Sequence, residues 1–421
     1  MSPLRISMQT ISGIDVLDAE QLDAADPLRA MHERFDLPEG VIYLNGNSLG
    51  PLPKATKSRM AEVVEQEWGA GLIRSWNTAG WVDLPQRLGA LIAPLIGAES
   101  DEVIVADSTS VNLYKLIHAG LKLNPGRSKV VTELGNFPTD LYVLQGVERD
   151  ASIDLCAVSR DQIISAIDDQ TALVVLTHVH YKSGEMFDLN ALTARAHSVG
   201  ALILWDLSHS TGVVPVDLDA AGADLAVGCG YKYLNGGPGA PSFLYVAKRH
   251  QARFEQPLTG WFGHAAPFAM SDQFEPAEGM TRALCGTPPV LGCVALEEGV
   301  RLAREVDMAA VRRKSIELSE FFIEQVEARL IGCGFELASP REPEMRGSQV
   351  SLGHVEAYPI MQALIAAGVI GDFRSPDILR FGFAPLYTRF VDVAQAVSNL
   401  EQVMISQSWR EPRFQVRARV T

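Results

Sequence analysis

The chain has 421 residues, 47% of them hydrophobic, the make-up of a soluble globular enzyme, and it exceeds the roughly 250 to 300 residues at which a single core stops growing, so two domains are expected. Its 36 Lys and Arg against 51 Asp and Glu leave a formal charge of −15, which argues against nucleic acid or an anionic membrane surface as the main partner. The five cysteines (Cys156, Cys229, Cys285, Cys293, Cys333) form no C-x-x-C pair, as in a reducing compartment. The N-terminal stretch mixes Arg5, Asp15, Asp18, Glu20, Asp23 and Asp26 with isolated apolar positions, so neither a signal sequence nor a spanning helix is read there and a cytoplasmic location is expected.

From about residue 100 to 250, short β-branched runs alternate with helical patterns. Strands are predicted at 102–105, 129–132, 153–157, 173–177, 201–205, 225–227 and 242–246, and helices at 110–121, 139–148, 160–168 and 190–199. Several of the strands are nearly continuous apolar runs, which is how strands buried on both faces read, so the expectation is a mostly parallel sheet with crossover helices. Ligands of such sheets bind beyond the carboxyl ends of the strands. After about residue 290 the texture changes. An amphipathic stretch from Glu297 to about Leu330 is followed by strand-like runs at 349–352 and 379–383, a helix near 357–367 between them, and a last helix near 391–407. This describes an α+β second domain. The segment from Trp409 to Thr421, with Arg410, Arg413, Arg417 and Arg419, reads as a solvated or weakly docked tail. The expected division is an N-terminal segment (1–60) packing on the small domain, a large α/β domain (61–295) and a small C-terminal α+β domain (296–421).

Within this frame Lys232 stands out. It is flanked by Tyr231 and Tyr233, preceded by the apolar run 224–227 and followed by a Gly/Pro cluster, and an Asp206-x-x-His209 pair closes an earlier strand. An amine that can form a Schiff base and a carboxylate that can keep a pyridine nitrogen protonated are the two groups pyridoxal phosphate requires. The alternative, a solvated surface lysine, fits these neighbours poorly. A phosphate needs a helix N-terminus, and Asp107-Ser108-Thr109-Ser110-Val111-Asn112 joins a strand to a helix with three hydroxyls in a row. An ordinary N-cap is the competing reading. Gly135-Asn136-Phe137-Pro138-Thr139-Asp140 again joins strand to helix and sets an aromatic ring where it can stack on a flat cofactor, or simply fill core.

Four ordered segments together resemble the kynureninase family of fold-type I pyridoxal phosphate enzymes, in its bacterial form: Tyr43-Leu44-Asn45-Gly46-Asn47-Ser48-Leu49-Gly50, Phe137-Pro138-Thr139-Asp140, Tyr231-Lys232-Tyr233-Leu234-Asn235-Gly236-Gly237-Pro238-Gly239 and Gly260-Trp261-Phe262-Gly263-His264. The resemblance covers about residues 30 to 405. It implies a transferase-like fold with a large, mostly parallel sheet domain and a smaller α+β domain. It implies hydrolytic cleavage of the Cβ–Cγ bond of L-kynurenine, with 3-hydroxykynurenine as a second substrate, to anthranilate (or 3-hydroxyanthranilate) and L-alanine, in tryptophan catabolism and NAD biosynthesis. By the same resemblance Lys232 is the Schiff-base lysine and general base, and Asp206 the partner of the pyridine nitrogen. Thr109, Ser110, Phe137, Pro138, Thr139, Asp140, Thr177 and His209 line the cofactor. Tyr231 is a phosphate ligand or a proton relay. Trp261 and Thr287 reach the cofactor from the neighbouring subunit of a homodimer, and Arg380, with Asn47 and Ser48, holds the substrate, the arginine gripping its α-carboxylate. Trp76, Trp81, Phe262 and His264 are candidate walls for the aromatic ring of the substrate. Thr287 stands where members preferring 3-hydroxykynurenine carry asparagine, which points to unsubstituted kynurenine.

Three rivals remain open on the sequence. His178-Val179-His180 with Asp206 and His209 could form a divalent-metal hydrolase site, although that leaves Lys232 and the four ordered segments unexplained. A cysteine desulfurase, or another lyase of the same fold, resembles its relatives through a histidine before the lysine, where this chain has Tyr231, and needs a reactive loop cysteine, for which only Cys333 qualifies. A scaffold without catalysis would be expected to lose Lys232 or Arg380.

Overall fold

Seven of the apolar runs form one sheet in the computed structural model, which describes residues 14–151 and 153–417. The strands are β1 (Val103–Ala106), β2 (Lys129–Glu133), β3 (Asp154–Val158), β4 (Thr171–Thr177), β5 (Leu202–Asp206), β6 (Leu225–Gly228) and β7 (Ser242–Val246). Their order is β1-β7-β6-β5-β4-β2-β3. Only β7 runs antiparallel to its neighbours, β1 and β6; the pairs from β6 through β5, β4 and β2 to β3 are parallel. Every residue of β4 is buried, which explains why its sequence reads as an unbroken apolar run. Register sets Thr177 of β4 beside Asp206 of β5, and Asp206 beside Val227 of β6, so three carboxyl ends lie side by side.

The crossover helices follow local chemistry. Ser108 caps the helix Thr109–Leu123 by accepting from the Val111 amide, Pro138 opens Pro138–Ala151, and Asp188 caps Leu189–Ser198. The helix expected at 160–168 is instead a 3₁₀ turn (Arg160–Gln162) and four α-helical residues (Ile163–Ala166). Asp168 ends it early, because its carboxylate accepts from the Gln170 amide in a local turn that competes with the helix.

The amphipathic stretch after Glu297 divides in the same way. One helix spans Val290–Arg304 and a second Met308–Arg329, and Asp307 caps the second through the Ala309 amide. Cys293, Val294, Leu296, Val300 and Ala303 join the large-domain core with Leu84, Leu88 and Ile92. Leu318, Phe322, Ile323 and Val326 instead pack with Val350, Leu379 and Phe381. The helix Val290–Arg304 runs through the expected division at 295/296.

The small domain carries β8 (Glu336–Leu337), β9 (Gln349–Gly353), β10 (Asp372–Arg374) and β11 (Ile378–Gly382), in the order β8-β9-β11-β10 and antiparallel throughout. The N-terminal segment is stitched to it: Ile42–Tyr43 pairs in parallel with Val369–Ile370, and Leu44 is buried in its core. At Lys54–Glu62 the chain turns to pack on Val290–Arg304 of the large domain. The C-terminal segment is not a solvated tail. Trp409 and Phe414 are buried in the small-domain core, Tyr358 donates to the Val416 carbonyl, and Arg417 lies over the Tyr358 and Phe373 rings. Arg419 lies outside the described residues, as does Arg5, and no helix among the described residues is long and apolar enough to cross a membrane.

Candidate active site

The carboxyl ends of β4, β5 and β6 open into one cavity. Thr109 and Ser110 reach it from the first turn of one helix, Phe137, Thr139 and Asp140 from the start of the next, Thr177 and Asp206 from strand ends, and His209, Tyr231 and Lys232 from the loops beyond β5 and β6. These ten positions are scattered over more than half of the large domain in sequence. Tyr181 and Ser208 also line the cavity and were not read from the sequence. Ser208 sits inside the Asp206-x-x-His209 pair, and its amide donates to Asp206 Oδ1 at 2.7 Å. Tyr181 follows the His178-Val179-His180 run, and its ring meets that of Phe137 edge-on at 5.3 Å. The Lys232 amine lies 5.9 Å from the centroids of both the Phe137 and the Tyr231 rings.

Two buried carboxylates share this floor. Thr177 Oγ1 is 2.6 Å from Asn136 Oδ1 and 2.9 Å from Asp140 Oδ2. The hydroxyl has one proton, and Asn136 Oδ1, which also accepts from the Phe137 amide, has none to give. Thr177 therefore donates to Asn136, and the contact with Asp140 needs a proton on Asp140. Electrostatics agrees, since burial and then the charge of Asp206 push the Asp140 carboxyl well above the usual range. Burial also raises Asp206, opposed by the Ser208 hydrogen bonds and the Lys232 charge. Burial, followed by neighbouring Cys229 and Asp206, raises Tyr231, which stays a protonated phenol, while burial and the charges of Lys232 and Arg380 hold His209 well below the usual range as a neutral imidazole.

This donor set fits pyridoxal phosphate. Asp140 Oδ1 is a buried acceptor with no partner, and the Asp206 carboxyl lines the same cavity, so the two suit the N–H of a protonated pyridine. The first turn of Thr109–Leu123 offers amides without intrahelical partners and two hydroxyls, which suit a phosphate. That turn is braced: Asp107, at φ +46°, is ion-paired to the fully buried Lys115, whose amine also donates to the Ala283 carbonyl at 2.7 Å.

Arg380 belongs to a second cluster, next to the cavity but not lining it. On β11 and buried, it donates through Nε to Asp372 Oδ1 at 2.9 Å, through Nη2 to Ser48 Oγ at 2.7 Å and through Nη1 to the Tyr181 carbonyl. Arg374 shares Asp372 at 2.7 Å, and Ser48 donates to the same carboxylate at 2.7 Å. Asp372 and Arg374 gave no sequence signal, because the three-residue strand that carries them has no periodicity to read. Asn47 is buried nearby.

Other expected positions lie elsewhere. Pro138 opens its helix and does not line the cavity. Trp261 and Thr287 are exposed on this chain. Trp76, Trp81 and Phe262 are not cavity walls: Trp76 meets Trp81 at 5.7 Å and Phe262 at 5.8 Å in a packed cluster, and the Trp81 indole donates to Glu67. His264 binds the Gln273 carbonyl against the Phe274 ring. Nor do the histidines converge on a metal. His178 bonds Ser210 and His180 bonds the Gly135 carbonyl and Ser183, and among the described residues no three His, Cys, Asp or Glu side chains are placed to hold an ion. Cys333 packs against the small-domain core in a turn between Gly332 and Gly334, both at positive φ.

Residues 311–400 match the family model described as the kynureninase C-terminal domain. A kynureninase of Burkholderia mallei (strain SAVP1) is 52% identical over 96% of this chain and 99% of its own length, and one of Pseudomonas fluorescens is 50% identical over the same shares. The chain belongs to the kynureninase family. Among solved structures, an apo cysteine desulfurase of Thermococcus onnurineus NA1 matches 90% of this kynureninase-family chain and 98% of its own, with a TM-score of 0.75 at 19% identity. The cysteine desulfurase CsdA of Escherichia coli covers the same shares, with a TM-score of 0.74 at 18% identity. These two solved structures share the α/β fold of the kynureninase-family chain.

Proposed function

We propose that this protein uses pyridoxal 5'-phosphate to hydrolyse the Cβ–Cγ bond of L-kynurenine, releasing anthranilate and L-alanine, with 3-hydroxykynurenine as a second substrate. The observation that carries the reading is the likeness to kynureninases over nearly the whole chain, joined to a cavity in which one amine, Lys232, faces two buried carboxyl groups. When bound, the cofactor supplies a protonated pyridine ring that accepts electrons from the α-carbon of an amino acid.

The residues divide the remaining work. Lys232 would hold the cofactor through its amine, and as a free amine would take the α-proton of the substrate and return it as a general acid. Asp206 would pair with the ring N–H and keep the nitrogen protonated, and Asp140, its carboxyl raised by burial and by Asp206, would donate within the floor. Thr109, Ser110 and Tyr231 hold the phosphate. Tyr231 is a phenol throughout the working pH range, so in the later steps it acts as a donor. Phe137 covers a face of the ring, and Arg380, with Ser48 and Asn47, receives the substrate carboxylate.

A homodimer completes the site in this proposal, with Trp261 and Thr287 entering from the partner. Exposed apolar residues support it: Trp68 within the π-helical segment Val63–Gly71, Leu72 and Ile73 just after it, and Phe268 and Met270 beyond Trp261. Thr287 favours unsubstituted kynurenine. Five unbridged cysteines support a cytoplasmic setting, in tryptophan catabolism and NAD biosynthesis.

The test is direct. Purified protein supplied with pyridoxal phosphate should release anthranilate from L-kynurenine, followed by its fluorescence. Release of sulfur from cysteine, with no anthranilate, would instead support the desulfurase reading.

A further inference from the structure

The side chain of Gln349, on β9 of the small domain, is 1% exposed and touches three other parts of the molecule. Its Nε2 is 3.2 Å from the His180 carbonyl and 3.0 Å from the Tyr181 carbonyl. Both of those groups only accept, so the amide nitrogen must face them and Oε1 must point the other way. Oε1 in turn accepts from Asn47 Nδ2 at 3.1 Å and lies 3.1 Å from His209 Nδ1. An amide oxygen cannot donate. His209 Nδ1 therefore carries a proton.

We infer that Gln349 is a positioning residue for the cofactor site: it fixes His209 as the Nδ1–H tautomer and turns an unprotonated Nε2 toward the cavity. Among the described residues Nε2 has no hydrogen-bond partner, and the ring lines the cavity. The positive charges of Lys232, Arg380 and Arg374 all oppose a second proton on the ring. The cavity thus receives a neutral acceptor from His209, one that can take a hydrogen bond from a hydroxyl or N–H of the bound group. The same amide joins the N-terminal segment, the large domain and the small domain at one point, so it couples the placement of the small domain to the protonation of a cavity residue.

The inference rests on the cofactor reading above, but its main test does not need cofactor. The full-length protein, labelled with ¹⁵N-histidine and cofactor-free, is examined by NMR, with His209 assigned by its loss in His209→Gln. The wild type should show the Nδ1–H form. Gln349→Met, which keeps the length and removes the acceptor, should lose the preference, and in titrations with pyridoxal phosphate its affinity should fall roughly ten- to hundredfold, the cost of a buried donor left unpaired. An Nε2–H form in the wild type, or the same tautomer and affinity in Gln349→Met as in the wild type, overturns the assignment to Gln349. A wild type that fails to take up pyridoxal phosphate while still showing the Nδ1–H form would instead sink the cofactor reading alone.

Discussion

The cavity floor and the arginine cluster beside it are built on opposite plans. The floor gathers Thr177, Asp206, His209 and Lys232 from the ends of adjacent strands and the loops just beyond, and sheet register sets Thr177 beside Asp206. The cluster gathers Ser48 from the N-terminal segment, Tyr181 from a large-domain loop, and Asp372, Arg374 and Arg380 from two adjacent strands of the small sheet. The floor is therefore framed by the sheet, with one tie to the small domain through His209 and Gln349. The cluster exists only while three parts of the chain are docked. This difference matches the division of labour proposed for them: chemistry needs a fixed frame, and substrate capture can use a joint between domains.

Mutations can break the comparison at its strongest point first. Lys232→Ala should abolish anthranilate release and prevent borohydride from trapping cofactor on the protein; trapping on the mutant would reassign the amine. The two carboxyl groups should then separate. Asp206→Asn removes the charge proposed to hold the ring nitrogen and is expected to cost at least about 100-fold in kcat/KM. Asp140→Asn, which imitates a protonated acid and can still donate to Thr177, should stay within about tenfold. Equal losses in the two variants would contradict a neutral Asp140.

At the cluster, Arg380→Ala should weaken substrate binding by about 2–5 kcal/mol, much of it from leaving Asp372 buried with one guanidinium fewer. An unchanged KM would remove Arg380 from substrate capture. The docked C-terminal segment predicts a change in stability with little direct effect on chemistry: Trp409→Ala should lower unfolding free energy by about 3 kcal/mol, read by denaturant titration, whereas a solvated tail would show none. The smallest effect expected is one of pH. Because the folded-state pKa of Asp140 is raised, folding loses stability as pH rises above its ordinary carboxylate range, where the unfolded chain gives up the proton and the folded chain keeps it. Cofactor-free Asp140→Asn should therefore gain on the wild type at neutral pH and match it in acid; a parallel offset at all pH values would point to packing alone.

The sequence by itself determined the sheet, because strands buried on both faces must be written as apolar runs and their turns must carry the polar residues that end up beyond the strands. Hence Asp206, His209, Lys232 and the Thr109 and Ser110 hydroxyls could be read as neighbours of one cavity, while Tyr231 and Arg380 were expected only from the resemblance. What only the tertiary structure decided is pairing at long range. Nothing local in Asp372-Phe373-Arg374 announces that its carboxylate binds two arginines and Ser48, and nothing in Gln349 announces an amide whose direction sets a histidine proton. Trp76, Trp81 and Phe262 were expected as walls for the substrate ring and instead meet one another outside the cavity, and the arginine-rich tail, read as solvated or weakly docked, has Trp409 and Phe414 in the small-domain interior. Apolar periodicity fixes which face of an element is buried. It does not say against what, and hydrogen-bond partners separated by hundreds of residues are chosen only when those faces meet.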